Sequence, residues 1–247
     1  MSSHVALITG VSSGIGKCIL VRLLQNHYSC IGIVRNEEKK TALLAELTNT
    51  LPPELLSRLT LRCCDLRNAS EIEAVSRSIR AEVPFLDTLV MNAGVGFYGP
   101  HEELSVSAIT DMTAVNFTAP LLFTNLFLRD LKQHNGRILF LSSVTARKTD
   151  NTHGCAYGAT KAGLSGFASS LFTEVRKYGV HVTVLSPDLT ATDLYRNAPF
   201  CADASEDASL TPEEVAEYAM TALSVREGMN LTEIIMQPQR HRLGKHS

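Results

Sequence analysis

The sequence predicts an α/β chain: one doubly wound domain, a seven-stranded parallel sheet flanked by helices. Three observations carry this. Short apolar runs of strand length alternate with longer segments of helical period along all 247 residues. The strand runs are apolar at nearly every position, the pattern of strands buried on both faces. The first run also meets a glycine-rich turn that opens straight into a helical segment, as in the start of a βαβ unit. No linker, repeat or low-complexity stretch breaks the alternation, so residues 1–247 are read as a single domain.

Strands are expected at about 4–9, 29–34, 59–64, 86–91, 136–142, 180–186 and 232–236. Helices are expected at about 14–26, 37–49, 69–82, 105–132, 157–178 and 211–225. In the first turn, Gly10 lets the chain bend sharply, Gly14 leaves room for a pyrophosphate, and Gly16 lets the helix pack close to the strand. Ser12, Ser13 and Ile15 lie at the helix start, where free N–H groups and the helix dipole favour phosphate. The second strand ends at Ile33-Val34-Arg35-Asn36 with no acid to hold a ribose 2′-hydroxyl. Arg35 instead offers a planar fork suited to a 2′-phosphate, so NADP is expected over NAD, with Glu37 and Glu38 opposing that field. Asp65, after the third strand, suits an adenine amino group or the cap of the next helix. The fourth strand ends in Asn92-Ala93-Gly94, small residues that let backbone pass a ribose or simply satisfy a turn.

In the expected helix 105–132, Asn116 sits in apolar surroundings and needs partners. Pro120 leaves a carbonyl near Asn116 without its donor, marking a water site or a kink. The strand Ile138–Leu141 ends in Ser142 and Ser143, two hydroxyls at the crevice. Tyr157 and Lys161, spaced i, i+4, share one helix face. An ammonium near a phenol, beside a positive nicotinamide ring, favours the phenolate, which makes Tyr157 a candidate acid and base, with Ser143 holding a substrate oxygen. The irregular stretch 188–210 follows the sixth strand and is a substrate lid or a surface loop.

An apolar fraction of 45% and a charged fraction of 19% fill a core and argue against disorder. Net charge is −2 with no basic block, which excludes neither fold nor chemistry but argues against nucleic-acid partners and anionic membrane surfaces. No run approaches the ~18 uninterrupted apolar residues of a membrane span, and Met1-Ser2-Ser3-His4 lacks the layout of a signal peptide, so a cytoplasmic location is expected. Six cysteines show no CxxC or zinc-ligand spacing: no metal is expected, and they read as reduced thiols, mostly small core residues, with Cys155 set apart by its place two residues before Tyr157.

Together these motifs resemble the short-chain dehydrogenase/reductase family, whose fold is a Rossmann-type domain. Thr9-Gly10-x-x-x-Gly14-Ile15-Gly16 is similar to its cofactor motif, and Asn92-Ala93-Gly94 to the end of its NNAG motif. Asn116, Ser143, Tyr157 and Lys161 fall at its Asn-Ser-Tyr-Lys tetrad. The resemblance implies that Lys161 and Tyr157 also meet the nicotinamide ribose, that Asn116 helps hold a relay water, and that Asp65 with Leu66 contacts adenine. Ser186-Pro187-Asp188-Leu189-Thr190-Ala191-Thr192 is similar to its PGxVxT segment and implies cofactor contacts at Pro187, Thr190 and Thr192. Asp188 stands where the family has Gly and Thr190 where it has Val; Met91 replaces the first Asn of NNAG. The loop between Ser143 and Tyr157 is one residue longer than usual, so it is expected to bulge, and Ser142 competes for the serine role.

The expected function is hydride transfer between a nicotinamide cofactor and a small-molecule carbonyl or alcohol. The alternatives are a non-catalytic NAD(P)-binding sensor and, more remotely, an epimerase or dehydratase that retains its cofactor. A homodimer or homotetramer is expected, packed through the helices at 105–132 and 157–178.

Overall fold

The computed structural model describes residues 4–148, 150–203, 205, 207–240 and 242–244. In chain order the elements are β1 (Val5–Thr9), α1 (Gly14–Gln25), β2 (Ser29–Val34), α2 (Glu37–Thr50), α3 (Pro53–Leu56), β3 (Leu59–Cys63), α4 (Ala69–Glu82) and β4 (Thr88–Met91). There follow α5 (Val106–Thr113), α6 (Ala119–Gln133), β5 (Arg137–Leu141), α7 (Cys155–Val175), β6 (His181–Pro187), β7 (Cys201–Ala202), α8 (Pro212–Leu223), β8 (Glu233–Met236) and β9 (Leu243–Gly244).

Seven strands pair in the order β3-β2-β1-β4-β5-β6-β8, every pair parallel. The order reverses between β1 and β4, and this is where such sheets open a crevice at their carboxyl ends. Alternate residues of each strand feed two cores. On one face Ile8, Val90, Leu139 and Leu185 meet α1, α2 and α8 through Leu20, Leu24, Leu43, Val215 and Ala219. On the other, Leu7, Leu89 and Phe140 meet α4, α6 and α7 through Ile72, Ile79, Phe123, Phe127 and Leu164. Phe123, Phe127 and Phe140 are fully buried, and truncating any of them to Ala costs about 3–5 kcal/mol.

One difference from the expected elements has a local cause. The helix expected at 105–132 is two helices joined by a π-helical turn, Ala114–Thr118. Pro120 has no N–H to give the Asn116 carbonyl, and the Ala119 N–H reaches back to Ala114 instead. The disturbance of this helix is thus a change of hydrogen-bond register. The run Val106–Gln133, with its mean hydropathy of 1.2, reaches the length and apolarity of a membrane span. In the fold its Met112, Phe123, Phe127 and Leu131 are buried against the sheet.

The 188–210 stretch is irregular, as expected, apart from a short turn at Asp193–Asn197 and strand β7. β7 pairs antiparallel with β9 from the C-terminal end of the chain, and Arg240 adds an ion pair to Asp207 at 3.1 Å. All six cysteines are free thiols, but the expectation that most lie in the core fails. Only Cys30 and Cys64 are buried; Cys155 is exposed at the start of α7 and the other three are half-buried.

Candidate active site

A cleft of about 730 Å³ runs along the carboxyl ends of the strands across the β1–β4 switch. Its floor begins at the turn after β1. Gly10 (φ +71°) and Gly14 (φ +54°) hold conformations that side chains disfavour. Gly16 is required for a different reason: a Cβ there would stand 2.2 Å from Asn92 Nδ2 and 2.3 Å from the Gly10 carbonyl. Asn92 uses that gap to donate to the carbonyls of Thr9 and Gly10 at 3.0 Å each, tying the ends of β1 and β4 together. Thr9 Oγ1 accepts from the backbone of Asn92 and Ala93. Ser13 caps α1 without a side-chain bond, so the first N–H groups of the helix remain available. Ser12, Ser13, Ile15, Ala93 and Gly94 all line the cleft with them.

At the outer end the cleft meets Arg35, Asp65 and Leu66. Asn36 caps α2 by accepting from the Lys39 N–H at 3.0 Å. Glu37, expected to oppose the positive field of Arg35, is turned to Lys40 and to the Cys63 thiol at 3.2 and 3.1 Å. Those bonds hold its carboxyl below the usual range. Lys39, in the first turn of α2, lines the cleft together with Arg35 and is a cation that sequence reasoning missed. Asp65 does not cap α4. That task falls to Asn68, which accepts from Ser70 and Glu71. Asp65 instead accepts from the Arg67 side chain at 2.9 and 3.0 Å, and this guanidinium keeps its carboxyl below the usual range. Arg67, also missed, lines the cleft and reaches Asp111 at 3.4 Å.

The inner end gathers Ser143, Tyr157 and Lys161, all in the lining. Ser143 ends the β5 segment, while Tyr157 and Lys161 stack one helical turn apart on α7. Lys161 is 3% exposed and donates to the Leu141 carbonyl at 2.7 Å. Burial pulls its pKa down to about 8. Tyr157 is also 3% exposed, and its hydroxyl accepts hydrogen bonds from Ser143 and Tyr98. Burial is the largest influence on it and pushes its pKa well up; Tyr195 adds to the rise, and the two hydrogen bonds partly offset it. This corrects the expectation of a phenol made acidic by Lys161. Sharing a helix face does not bring the groups into contact: the ammonium lies 5.8 Å from the ring centroid, directed at β5. The competing Ser142 is settled by orientation, since its hydroxyl meets the Lys161 carbonyl and Ser165.

Of the predicted site residues only Asn116 lies outside the cleft lining. It is fully buried and its amide is fully employed. Its oxygen accepts from the Val95 N–H at 2.8 Å; its nitrogen donates to the Val95 carbonyl at 2.9 Å and to Thr160 at 3.2 Å. Asn116 therefore anchors the strand running out of β4 rather than facing a ligand with its side chain. Pro187, Thr190 and Thr192 line the cleft opposite the glycine turn, with Thr192 Cγ2 placed 3.2 Å from where a Cβ on Gly14 would stand. Asp188 does not obstruct this wall. Its carboxylate accepts from the Leu189 N–H and from Gln237 at 2.9 and 3.0 Å. The longer loop before Tyr157 is pinned where Asn151 donates to the Thr145 carbonyl at 2.8 Å; its Thr149 lies outside the described residues.

Beyond Tyr157 stands an aromatic cluster. Tyr98 packs on Tyr157 (centroids 5.4 Å apart), on Phe200 (5.2 Å) and on Tyr195 (6.1 Å). Burial drives the Tyr195 hydroxyl up to about 12.

The chain is similar to known proteins over nearly its whole length. The family described as short chain dehydrogenase matches residues 4–199. The NADP-dependent 3-hydroxy acid dehydrogenase of Shigella flexneri is 30% identical over 243 residues, 95% of this chain and 94% of that protein. Among solved structures, the closed form of serine dehydrogenase complexed with NADP+ superposes with a TM-score of 0.81 at 27% identity, covering 94% of both chains. An alcohol dehydrogenase from the archaeon Thermococcus sibiricus, complexed with 5-hydroxy-NADP, shares the fold with a TM-score of 0.85 at 24% identity, over 98% of this chain and 99% of that one. The family match spans both the glycine turn and the Tyr157–Lys161 helix, and on that ground the chain belongs to the short-chain dehydrogenase family of oxidoreductases.

Proposed function

We propose that the protein is an NADPH-dependent reductase of a small-molecule carbonyl, with Tyr157 as the proton donor. The observation that carries this is the convergence of Ser143, Tyr157 and Lys161 at one end of a cleft whose other end presents Arg35 and Lys39. The cradle fits a dinucleotide. A Cβ on Gly16 would destroy the turn, the start of α1 keeps its N–H groups available for a diphosphate, and Arg35 with Lys39 offers two cations for a 2′-phosphate. The NADP named for the Shigella relative and the serine dehydrogenase structure supports the same choice.

In this reading Gly10, Ser12, Ser13, Gly14, Ile15 and Gly16 surround the diphosphate. Arg35 holds the 2′-phosphate, Asp65 and Leu66 flank adenine, and Asn92, Ala93 and Gly94 pass the ribose. Pro187, Thr190 and Thr192 would bound the nicotinamide, which when bound would supply a hydride, two electrons, to the carbonyl carbon. Ser143 donates to the substrate oxygen. Tyr157 gives that oxygen its proton, so the C=O bond becomes CH–OH and the phenolate is left behind. Lys161 stabilises that phenolate by its charge and is placed to hold the nicotinamide ribose. Burial keeps the phenol protonated, the state in which it would enter a carbonyl reduction. A sensor gains nothing from a lysine kept buried against its hydration, so the non-catalytic alternative finds no support in the site.

Tyr157→Phe should lower turnover at least about a thousandfold while NADPH still binds. A panel of aldehydes, ketones and 3-oxo acids, read by NADPH oxidation, supplies the assay; turnover that survived the substitution would remove Tyr157 from the role. Arg35→Ala should weaken NADPH binding by about tenfold or more and leave NADH unchanged. We further propose a homodimer or homotetramer. Leu121, Leu122, Leu126 and Phe167 pack at the edge of the core and stay half-buried on α6 and α7, whereas Phe123, Phe127, Leu164 and Leu171 are buried within it. Light scattering in solution decides between that and a monomer.

A further inference from the structure

Ser143 and Tyr157 sit on separate pieces of chain, and a substrate oxygen held by one and protonated by the other needs both hydroxyls in register. Lys161 Nζ on the Leu141 carbonyl and Ser142 Oγ on the Lys161 carbonyl tie α7 to the end of β5. Ser143 lies just beyond those ties, at the head of a short turn, Val144–Ala146. Its hydroxyl accepts from the Thr145 N–H at 3.2 Å, and its carbonyl accepts from the Ala146 N–H at 3.0 Å. The direction of the serine hydroxyl is therefore set by where this turn lies.

One side chain holds the turn against α7. Asn151 Nδ2 donates to the Thr145 carbonyl at 2.8 Å. The same carbonyl accepts from the Lys148 N–H at 3.4 Å, a longer and weaker bond. The Asn151 carbonyl accepts from the Gly154 N–H at 3.1 Å, and the Gly154 carbonyl accepts from the Gly158 N–H at 2.9 Å, in the first turn of α7. Gly158, buried next to Tyr157, has no side chain to keep Asn151 away. A Cβ there would collide with Asn151 Nδ2 and stand 3.3 Å from the Thr145 carbonyl oxygen. The amide thus fills the notch that Gly158 leaves in the helix and reaches through it to the serine turn. Asn151 itself is not part of the cleft lining.

We propose that Asn151, seated on Gly158, is a positioning residue that holds the Ser143 hydroxyl in register with the Tyr157 hydroxyl. The inference rests on the proposed reductase reading, and no bond is made or broken at Asn151. The long loop before Tyr157 serves the site by folding back to place one amide between the two catalytic turns. A displacement of about 1 Å between reacting groups can cost about a hundredfold in rate, so a single hydrogen bond at this seam has leverage on turnover.

Two variants remove the same contact from opposite sides. Asn151→Ala deletes the donor. Gly158→Ala keeps the asparagine and drives its amide from the notch; Gly158 is helical with an ordinary φ, so the backbone tolerates alanine. With the best carbonyl of the panel, each should lower kcat about five- to fiftyfold and leave the carbonyl KM within about twofold. NADPH affinity, read by its fluorescence, should stay at the wild-type value and shows that each variant is folded. The double variant should be slower than Asn151→Ala by less than about twofold, since the amide is lost only once. In a Ser143→Ala background, Asn151→Ala should change the residual kcat by less than about twofold, because the amide acts through that serine. Wild-type kcat in both single variants would overturn the inference, as would an equal loss with and without Ser143. A raised carbonyl KM at wild-type kcat would overturn it too and make the loop a substrate wall. Tyr157→Phe run in parallel separates the two ideas. If that variant still turns over, the reductase assignment fails; if it is dead while Asn151→Ala and Gly158→Ala match wild type, only the positioning role fails.

Discussion

Lys161 shows how one residue carries opposed demands. Its ammonium is buried beside the β5 carbonyl of Leu141, and its pKa falls from the usual lysine value to about 8. In the unfolded chain it would keep its proton to about 10.4. Between those values the unfolded chain binds more protons, so this group adds stability as pH rises from about 8 to 10 and costs stability below that window. Lys161→Met should therefore raise stability at pH 7 by about 2 kcal/mol in urea melts, with the gain shrinking above pH 8. The same variant should lose turnover. For the intact enzyme, reduction should be flat through neutral pH and decline above about 8, as Lys161 loses the charge that steadies the phenolate. A profile that rose through pH 8 would contradict that. The pairing of Tyr157 with Lys161 was legible in the i, i+4 spacing. Their ionisation was not, because its causes come from elsewhere in the chain: Leu141 on β5, Tyr98 after β4 and Tyr195 after β6. The role of Asn116 was half legible for a related reason. The sequence shows that a buried amide needs partners but not that Val95 supplies two of them.

The β1 turn and α1 make a single device whose tolerance is set by contact rather than by flexibility. Gly16→Ala would drive a methyl into Asn92 Nδ2 and the Gly10 carbonyl. Either α1 moves away or Asn92 lets go of β1, and both spoil the anion site. The variant should bind NADPH at least about tenfold more weakly and unfold at a lower temperature, by about 1–3 kcal/mol of lost stability. Unchanged binding would show that the turn has slack. Such elements were easy to foresee because local pattern specifies them: a run of apolar residues, then glycines, then helical period. The break between α5 and α6 was only partly so. Pro120 announces a disturbed ladder, but whether the helix kinks, admits water or shifts to π register depends on what packs around Ala114–Thr118. Strands β7 and β9 are two residues each, too short to leave a periodic trace.

At the scale of the molecule, the cleft exists because the sheet is wound outward from β1 and β4, so two helices leave in opposite directions from adjacent strand ends. The cofactor would bridge both halves, since Arg35 follows β2 on one side and Pro187 ends β6 on the other. Binding should therefore stabilise the whole fold. At a hundred times the dissociation constant, NADPH should add about 2.7 kcal/mol and raise the melting temperature by roughly 5–10 °C for a chain of this size. NADH at equal concentration should give a smaller shift. Equal shifts from both would argue against discrimination at the 2′-position.

The pairing of β7 with β9 has a practical reach. The 188–210 stretch, which carries Tyr195 and Phe200 against Tyr98, is stitched at Cys201–Ala202 to Leu243–Gly244 and at Asp207 to Arg240. Leu243, Gly244 and Arg240 thus serve as a guy-rope for this stretch of chain. Substitutions at Leu243 or Arg240 should therefore alter substrate preference from a distance of some forty residues along the chain, read as a changed ranking of carbonyls in the NADPH assay.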